Sequence, residues 1–484
     1  MGSLEAAATI GRGTAVTWVL WIAARALALV TLLLLARALP KEDLGALFAA
    51  LATGVLGATL AMGGLPDATT RRAASTSGTV AFGLGDVRKA LYRFGATLPL
   101  IFVLLVVIAF RAPGSTDVPL VIASLLLALT QGGTTIVASV FRARGQAARF
   151  AMVTAFIVSA GRAAIAGAAL TFDAGAGLVL WTFVALNVAL IVGTWRPALR
   201  ELPKSTSQAG SDASLHLGGA VWSVLGNLDV VVVGVVVGAE AAGTYGVALR
   251  LSEFSYQFLL ALSVLHLPEA TRLAVAGRRA ALGSLYRTTT KWCALVTLLI
   301  AGIGFIAAPS LAEILFPDDV STTTTLIRIL LAGYGISGAL GLTYNTLMAV
   351  GADRVIRRAA IVALPAIVLV TVALTEAFGV VGAACATLSA YVVLSGCWAW
   401  LVATTVRVTP FDRLYVRAIL VCLLSWAVAF VVARLTEDAS AGASVIATAA
   451  AGFVTWSTAL WLGSVLSAGE LELIGRARAR LGRA

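Results

Sequence analysis

Charge is what this sequence has least of. Asp, Glu, Lys and Arg make up 12% of its 484 residues, about half the share of an ordinary soluble domain. A chain so poor in charge cannot solvate a large folded surface, and a soluble globular protein is excluded. Cysteine and histidine are also scarce. The four cysteines (Cys293, Cys385, Cys397, Cys422) all lie inside apolar runs, and His216 and His266 are fifty residues apart. That distribution predicts neither a disulfide nor a metal site. No Gly-rich phosphate-cradling loop is present, which argues against ATP as an energy source. No group of residues resembles a catalytic set, so the chain reads as a non-enzyme. The outer connections are all short, leaving no room for a folded domain or a large lid.

What the chain has in abundance is apolar sequence: 60% hydrophobic residues and a mean hydropathy of +0.97. Fourteen runs of spanning length can be marked, at about 14–36, 44–62, 91–109, 118–140, 150–171, 177–195, 215–237, 243–266, 292–308, 325–349, 359–377, 380–403, 415–434 and 443–466. The expected fold class is therefore all-α, a polytopic membrane protein with 14 transmembrane helices in the plasma (inner) membrane. The first run is about 23 residues long and contains Arg25, which is too long and too polar for a signal peptide. It reads as a retained span.

Positive charge orients the spans. With the N-terminus placed inside, 27 of the 35 Lys and Arg fall in inner segments, 4 in outer segments and 4 within spans. Such a bias predicts that both termini are cytoplasmic. It also accounts for the net charge of +12 without invoking nucleic acid. Residues 197–214 are rich in Ser, Gly, Lys and Glu and read as a flexible cytoplasmic tether. Residues 469–484 carry Arg476, Arg478, Arg480 and Arg483 and read as a basic cytoplasmic tail against anionic lipid.

The chain repeats itself. LARALPKEDLGALFAALA crosses from the first span into the second, and VGVVVGAEAAGTYGVALR from the seventh into the eighth, aligning Gly45 with Gly243. FRARGQAARFAMV and LMAVGADRVIRRAAIV align Gly145 with Gly351. Six spans separate the copies, so both run the same way. Parallel six-span repeats build two lobes around a central pathway. The expected organisation is an N-lobe over 1–196, the linker 197–214, a C-lobe over 215–404 and two appended spans over 405–468.

Ionisable groups within spans mark an interior path, since each costs roughly 2.5–3.5 kcal/mol or more in hydrocarbon. Arg25 lies near the middle of the first span, with Trp21 and Trp18 on the same helix face. A guanidinium between two indoles suits a phosphate with the rings on sugar or lipid; a structural cation is the plainer alternative. Asp229, accompanied by Asn227 and Trp222, either neutralises Arg250 as a fixed ion pair or binds H⁺ or Na⁺ as a coupling site. Glu253, one turn beyond Arg250, offers a local pair, and Gln257 extends the stripe. Arg162 fits interior packing and pathway lining equally well, and Arg328 can snorkel. Arg71 and Arg72 sit at the inner end of the second span, where they could gather an anionic headgroup. Adjacent Glu42 and Asp43 in the first outer loop leave a polytopic glycosyltransferase as a remote alternative.

NLDVVVVGVVVGAEAAGTYGVALRLSE, with Asp229, Gly234, Gly243, Tyr245 and Ala248, resembles the seventh-to-eighth span signature of the Wzx-like flippases. These form the polysaccharide-transporter branch of the multidrug/oligosaccharidyl-lipid/polysaccharide (MOP) exporter superfamily. ARALPKEDLGALFA and FGVVGAACATLSAYVV are similar to two further turns of that family, in order along the chain. The resemblance implies two six-span lobes, a cationic cavity lined by spans one, two, seven and eight, and two extra C-terminal spans. It implies no cofactor beyond H⁺ or Na⁺, and alternating access carrying a polyprenyl-diphosphate-linked oligosaccharide to the outer leaflet. The expected substrate-binding set is Arg25, Arg250, Trp18, Trp21, Tyr245, Asn227, Arg71 and Arg72, with Asp229 and Glu253 as ion pair or coupling groups. Expected partners are the lipid-linked glycan, membrane lipids and glycan-assembling enzymes such as a polymerase or glycosyltransferases. A lipid II flippase and a cation-coupled drug exporter share the architecture and stay open as alternatives.

Overall fold

The computed structural model describes residues 2–62, 118–143, 146–172, 174–199, 213–462 and 465. Helix α1 (Gly2–Ala38) turns at Leu39 and Pro40 into α2 (Lys41–Met62). Pro40 lacks an N–H but offers its carbonyl, which accepts from Leu44 N–H at 2.9 Å and so starts α2. Glu42 and Asp43 occupy the first turn of α2, where the helix dipole favours carboxylates. Then come α3 (Val118–Ala143), α4 (Ala147–Ala151), a π-helical stretch (Met152–Ile157), α5 (Val158–Phe172) and α6 (Ala176–Leu199).

The second half begins with α7 (Ala213–Leu225) and α8 (Leu228–Val236), followed by α9 (Ala239–Glu253), a 3₁₀ turn (Phe254–Tyr256) and α10 (Gln257–Val275). After these come α11 (Arg279–Ile306), α12 (Ala308–Leu315), α13 (Val320–Leu340), α14 (Thr343–Ala349), α15 (Asp353–Thr405), α16 (Arg413–Leu435) and α17 (Ala441–Leu462).

Among the described residues, ten helices are long and apolar enough to cross a membrane, or eleven when α7 and α8 count as one span. The expected total of fourteen is not reached there, and the run at 91–109 lies outside those residues. The run expected as one helix over 215–237 is broken: α7 and α8 meet at 48°. Gly226 and Asn227 cause the break, since neither favours a helix interior and Asn prefers the cap position that it takes before α8. Conversely, α15 has 53 residues, about 80 Å at the usual rise and more than twice the hydrocarbon thickness. Gly379, at φ 61 and ψ −142, splits it between the runs expected at 359–377 and 380–403.

One large apolar core joins the two halves, from Leu32, Leu44 and Leu47 through Leu249 to Trp398. The last two helices do not face lipid alone. They pack on α11 through Leu295, Ala418, Val421 and Cys422, and Trp426 Nε1 donates to Leu298 O at 2.9 Å.

The two glycines aligned by the repeat meet in space. A Cβ on Gly45 would overlap the carbonyl oxygen of Ala239, and a Cβ on Gly243 would overlap that of Lys41. Each glycine thus lies against the opposite helix's N-terminal end, and α2 and α9 cross with backbone touching backbone. Close approach of this kind requires residues without side chains. Lys41 Nζ and Glu240 Oε1, 3.9 Å apart, bridge the same end.

Candidate functional site

Directly beyond that crossing, the helices enclose a cavity of about 400 Å³. Four charged groups line it: Arg25 from α1, Arg162 from α5, and Arg250 and Glu253 from α9. Helical spacing explains how they arrive together. Arg25, Leu29, Leu32 and Leu35 form one face of α1, and Arg250, Glu253, Phe254 and Gln257 one face of the α9–α10 rod. Three departures from regular helix also border the cavity, through Asn227 at the α7–α8 break, Phe254 in the 3₁₀ turn and Thr154 in the π-helical stretch. Irregular backbone at membrane depth is tolerated where it lines a cavity.

The cations fall into two groups. Arg250 is internally satisfied: Nη1 donates to Glu253 Oε2 at 2.8 Å and Nη2 to Asn227 Oδ1 at 2.9 Å. Gln257 Nε2 completes the cluster by donating to Glu253 Oε1 at 3.3 Å. Arg25 and Arg162 have no ion pair among the described residues. Each guanidinium lies over an aromatic ring instead, Arg25 over Trp21 at 4.8 Å and Arg162 over Phe183 at 5.1 Å.

Four buried polar atoms on lining residues lack a hydrogen-bond partner: Arg25 Nε, Gln131 Oε1, Asn187 Nδ2 and Gln257 Oε1. Buried orphans of this kind are a few per hundred residues in folded proteins, so several in one cavity point to something that fills it. The threonines there do not compete for that role. Thr31, Thr134, Thr135 and Thr154 give their hydroxyl protons to carbonyls of their own helices at 2.7–2.9 Å. Beside the Ser159 hydroxyl, the donors left for a guest belong to arginine and amide side chains.

Several sequence expectations need correction. Asp229 is 2% exposed and is not the partner of Arg250. Its Oδ2 accepts from Tyr245 Oη at 2.8 Å and Thr387 Oγ1 at 2.9 Å, and its Oδ1 from Val230 N–H at 2.9 Å. The helix break rotates Asp229 into the α8–α9–α15 interface, while Asn227 faces the cavity. Tyr245 is fully buried on Asp229 and does not line the cavity. Trp21 serves as the platform under Arg25 and does not contribute to the lining. The side chain of Trp18, and Arg71 and Arg72 altogether, lie outside the described residues. Arg25, Arg250, Asn227 and Glu253 lie together on the lining of one cavity.

Gln131 and Asn187 are lining residues that the sequence expectations do not include, and the lining also takes in Arg162, which fits packing and lining equally well by sequence. The available signal was a lone amide in the middle of an apolar run, which is costly unless it faces a polar cavity. Arg328, by contrast, lies away from the cavity: its Nε donates to Phe305 O at 3.3 Å.

Among the described residues, a polar cavity between ten or eleven apolar helices long enough to cross a membrane is the architecture of a multi-pass membrane protein. The sequence profile described as "Polysaccharide biosynthesis protein" matches residues 10–269, more than half of the chain, and the chain belongs to that family. No curated protein matches it in sequence. Among solved structures it is similar to lipid II flippase MurJ in its inward closed conformation, at 12% identity over 92% of this chain and 97% of that one, with a TM-score of 0.60. It is similar also to a point mutant of the Vibrio cholerae MATE transporter VcmN, at 16% identity over 84% of this chain and 99% of that one, with a TM-score of 0.59. A multidrug resistance MATE transporter of the MOP superfamily, in an inward-facing conformation, matches at 14% identity over 79% and 94%, TM-score 0.57. The fold is shared with these solved structures, and the chain is a multi-pass membrane protein of the family described as polysaccharide biosynthesis proteins.

Proposed function

We propose that this protein flips a polyprenyl-diphosphate-linked oligosaccharide from the cytoplasmic to the outer leaflet by alternating access, for cell-surface polysaccharide assembly. The observation that carries the reading is the cavity in which Arg25, Arg162 and Arg250 converge among unpartnered amides. A sugar headgroup cannot cross hydrocarbon unscreened. Guanidinium groups bind diphosphate oxygens through paired, charge-assisted N–H donors, and amides suit sugar hydroxyls. The prenyl chain stays in lipid throughout.

Two negative charges moving outward go with an inside-negative potential, by about 2.3 kcal/mol per charge per 100 mV. Asp229 is the group proposed for H⁺ or Na⁺ coupling where a gradient also contributes. Both termini are placed in the cytoplasm by the distribution of Lys and Arg, where lipid-linked glycans are handed over by glycosyltransferases.

Among the alternatives, three arginines against one glutamate disfavour a cationic drug in this cavity. A lipid II flippase would use the same arginines, and the headgroup alone separates the two. The test is depletion followed by complementation. Wild-type protein restores surface glycan and clears the lipid-linked precursor from the inner leaflet; Arg25→Ala and Arg250→Ala, present at normal membrane levels, do not. Full glycan output from both variants would refute the proposal.

A further inference from the structure

The four ionic groups of the cavity divide unequally. Arg25 and Arg162, on the first half of the chain, are the cations without an ion pair among the described residues. Arg250 is closed on itself by Glu253 and Asn227 at 2.8 and 2.9 Å. Glu253 is nevertheless within reach of a guest, since its side chain is 28% exposed and lines the cavity. It stands at the last residue of α9, immediately before the 3₁₀ turn.

From this arrangement we infer that Glu253 is a specificity-determining residue, which restricts the cavity to diphosphate headgroups whose neighbouring sugar is uncharged. The inference rests on the diphosphate reading above. The three arginines and one glutamate of the described lining give it a net charge of +2. A diphosphate diester brings two negative charges and is matched by Arg25 and Arg162 alone. An acidic sugar adds one more, and the groups it meets are the Glu253 carboxylate and an arginine already committed to that carboxylate. Were Arg250 to turn to the sugar, Glu253 would be left charged and unpaired in a poorly solvated site, which is strongly unfavourable. Were it to stay, the third charge would find no counter-charge among the described lining and would lie about 7 Å from the carboxylate and about 10 Å from its arginine, which at an effective dielectric of about 20 disfavours the acidic guest by about threefold.

The experiment uses the purified full-length protein in nanodiscs and two synthetic short-chain prenyl diphosphates, one bearing N-acetylglucosamine and one bearing glucuronate. Wild type is expected to bind the neutral lipid about threefold more tightly or better. Glu253→Gln keeps a hydrogen-bonding group beside Arg250 and removes the charge, so the preference should disappear or reverse through tighter binding of the glucuronate lipid. Equal binding of the two lipids by wild type, or an unchanged preference in Glu253→Gln, overturns the inference. If Glu253→Gln loses the neutral lipid, Glu253→Ala is read in its place. Loss of the neutral lipid by both variants makes Glu253 a mere support for Arg250 and also overturns it. Failure of the underlying reading looks different: wild type then binds neither lipid, or Arg25→Ala leaves the neutral lipid's affinity unchanged.

Discussion

Replacing Gly45 by alanine should push the molecule out of the state seen here. The added Cβ would occupy the position of the Ala239 carbonyl oxygen, with the backbone nitrogen of Gly243 3.0 Å away. These neighbours are backbone atoms of α9, so no side chain can swing aside. The helices must part, and overpacking of this kind costs about 1–3 kcal/mol. The penalty falls only on the conformation in which α2 and α9 touch. At about 2 kcal/mol it shifts an equilibrium between closed and parted forms about 30-fold. Gly219→Ala is the control, because nothing lies within 4 Å of a Cβ there. A single reporter cysteine at Phe48, with the four native cysteines replaced, reads the result through its labelling by an impermeant maleimide added to intact cells. Labelling should be markedly faster in Gly45→Ala than in Gly219→Ala. Equal rates in two folded variants would show that the α2–α9 crossing is not the closure of the outer end.

Further outcomes follow from the same contacts. Tyr245→Phe removes one of the two hydroxyl donors to Asp229, at about 1.5–3 kcal/mol for a bond to a charged group. Scanning fluorimetry in detergent should report a melting point several degrees lower. Asp229→Asn should make transport into proteoliposomes insensitive to an imposed ion gradient, and retained gradient dependence would remove Asp229 from coupling. Replacing Glu42 and Asp43 together by alanine should leave surface glycan within about twofold of wild type, since first-turn carboxylates contribute about 0.3–1 kcal/mol each to their helix. Complete loss would instead revive the glycosyltransferase reading.

Much of the site was legible because a charge within an apolar run has few places to go. Depth marks Arg25 and Arg250 as interior, the family resemblance assigns them to one cleft, and the repeat aligns Gly45 with Gly243, two residues that meet where α2 and α9 touch. Other features depended on geometry that periodicity does not carry. A π-helical stretch at Met152–Ile157 lies just before Arg162, and its extra residue per turn shifts the face on which Arg162 falls. The break at Gly226–Asn227 separates two neighbours, keeping Asn227 on the cavity and turning Asp229 into the interface. Thr387, which holds Asp229, is 158 residues away in sequence, and only the folded chain brings it near. The family motif points Tyr245 to the cavity, whereas its hydroxyl satisfies the buried Asp229 carboxylate.

Binding of a prenyl diphosphate-linked N-acetylglucosamine to the purified protein tests the central idea most directly, with wild type compared against Arg25→Ala, Arg162→Ala and their double variant. Each arginine should contribute charge-assisted hydrogen bonds of about 1.5–3 kcal/mol. The account therefore predicts about tenfold or greater weakening in each single variant, and no measurable binding in the double. Undiminished affinity in the folded double variant would contradict it, because the diphosphate would then rest somewhere other than between these two guanidinium groups.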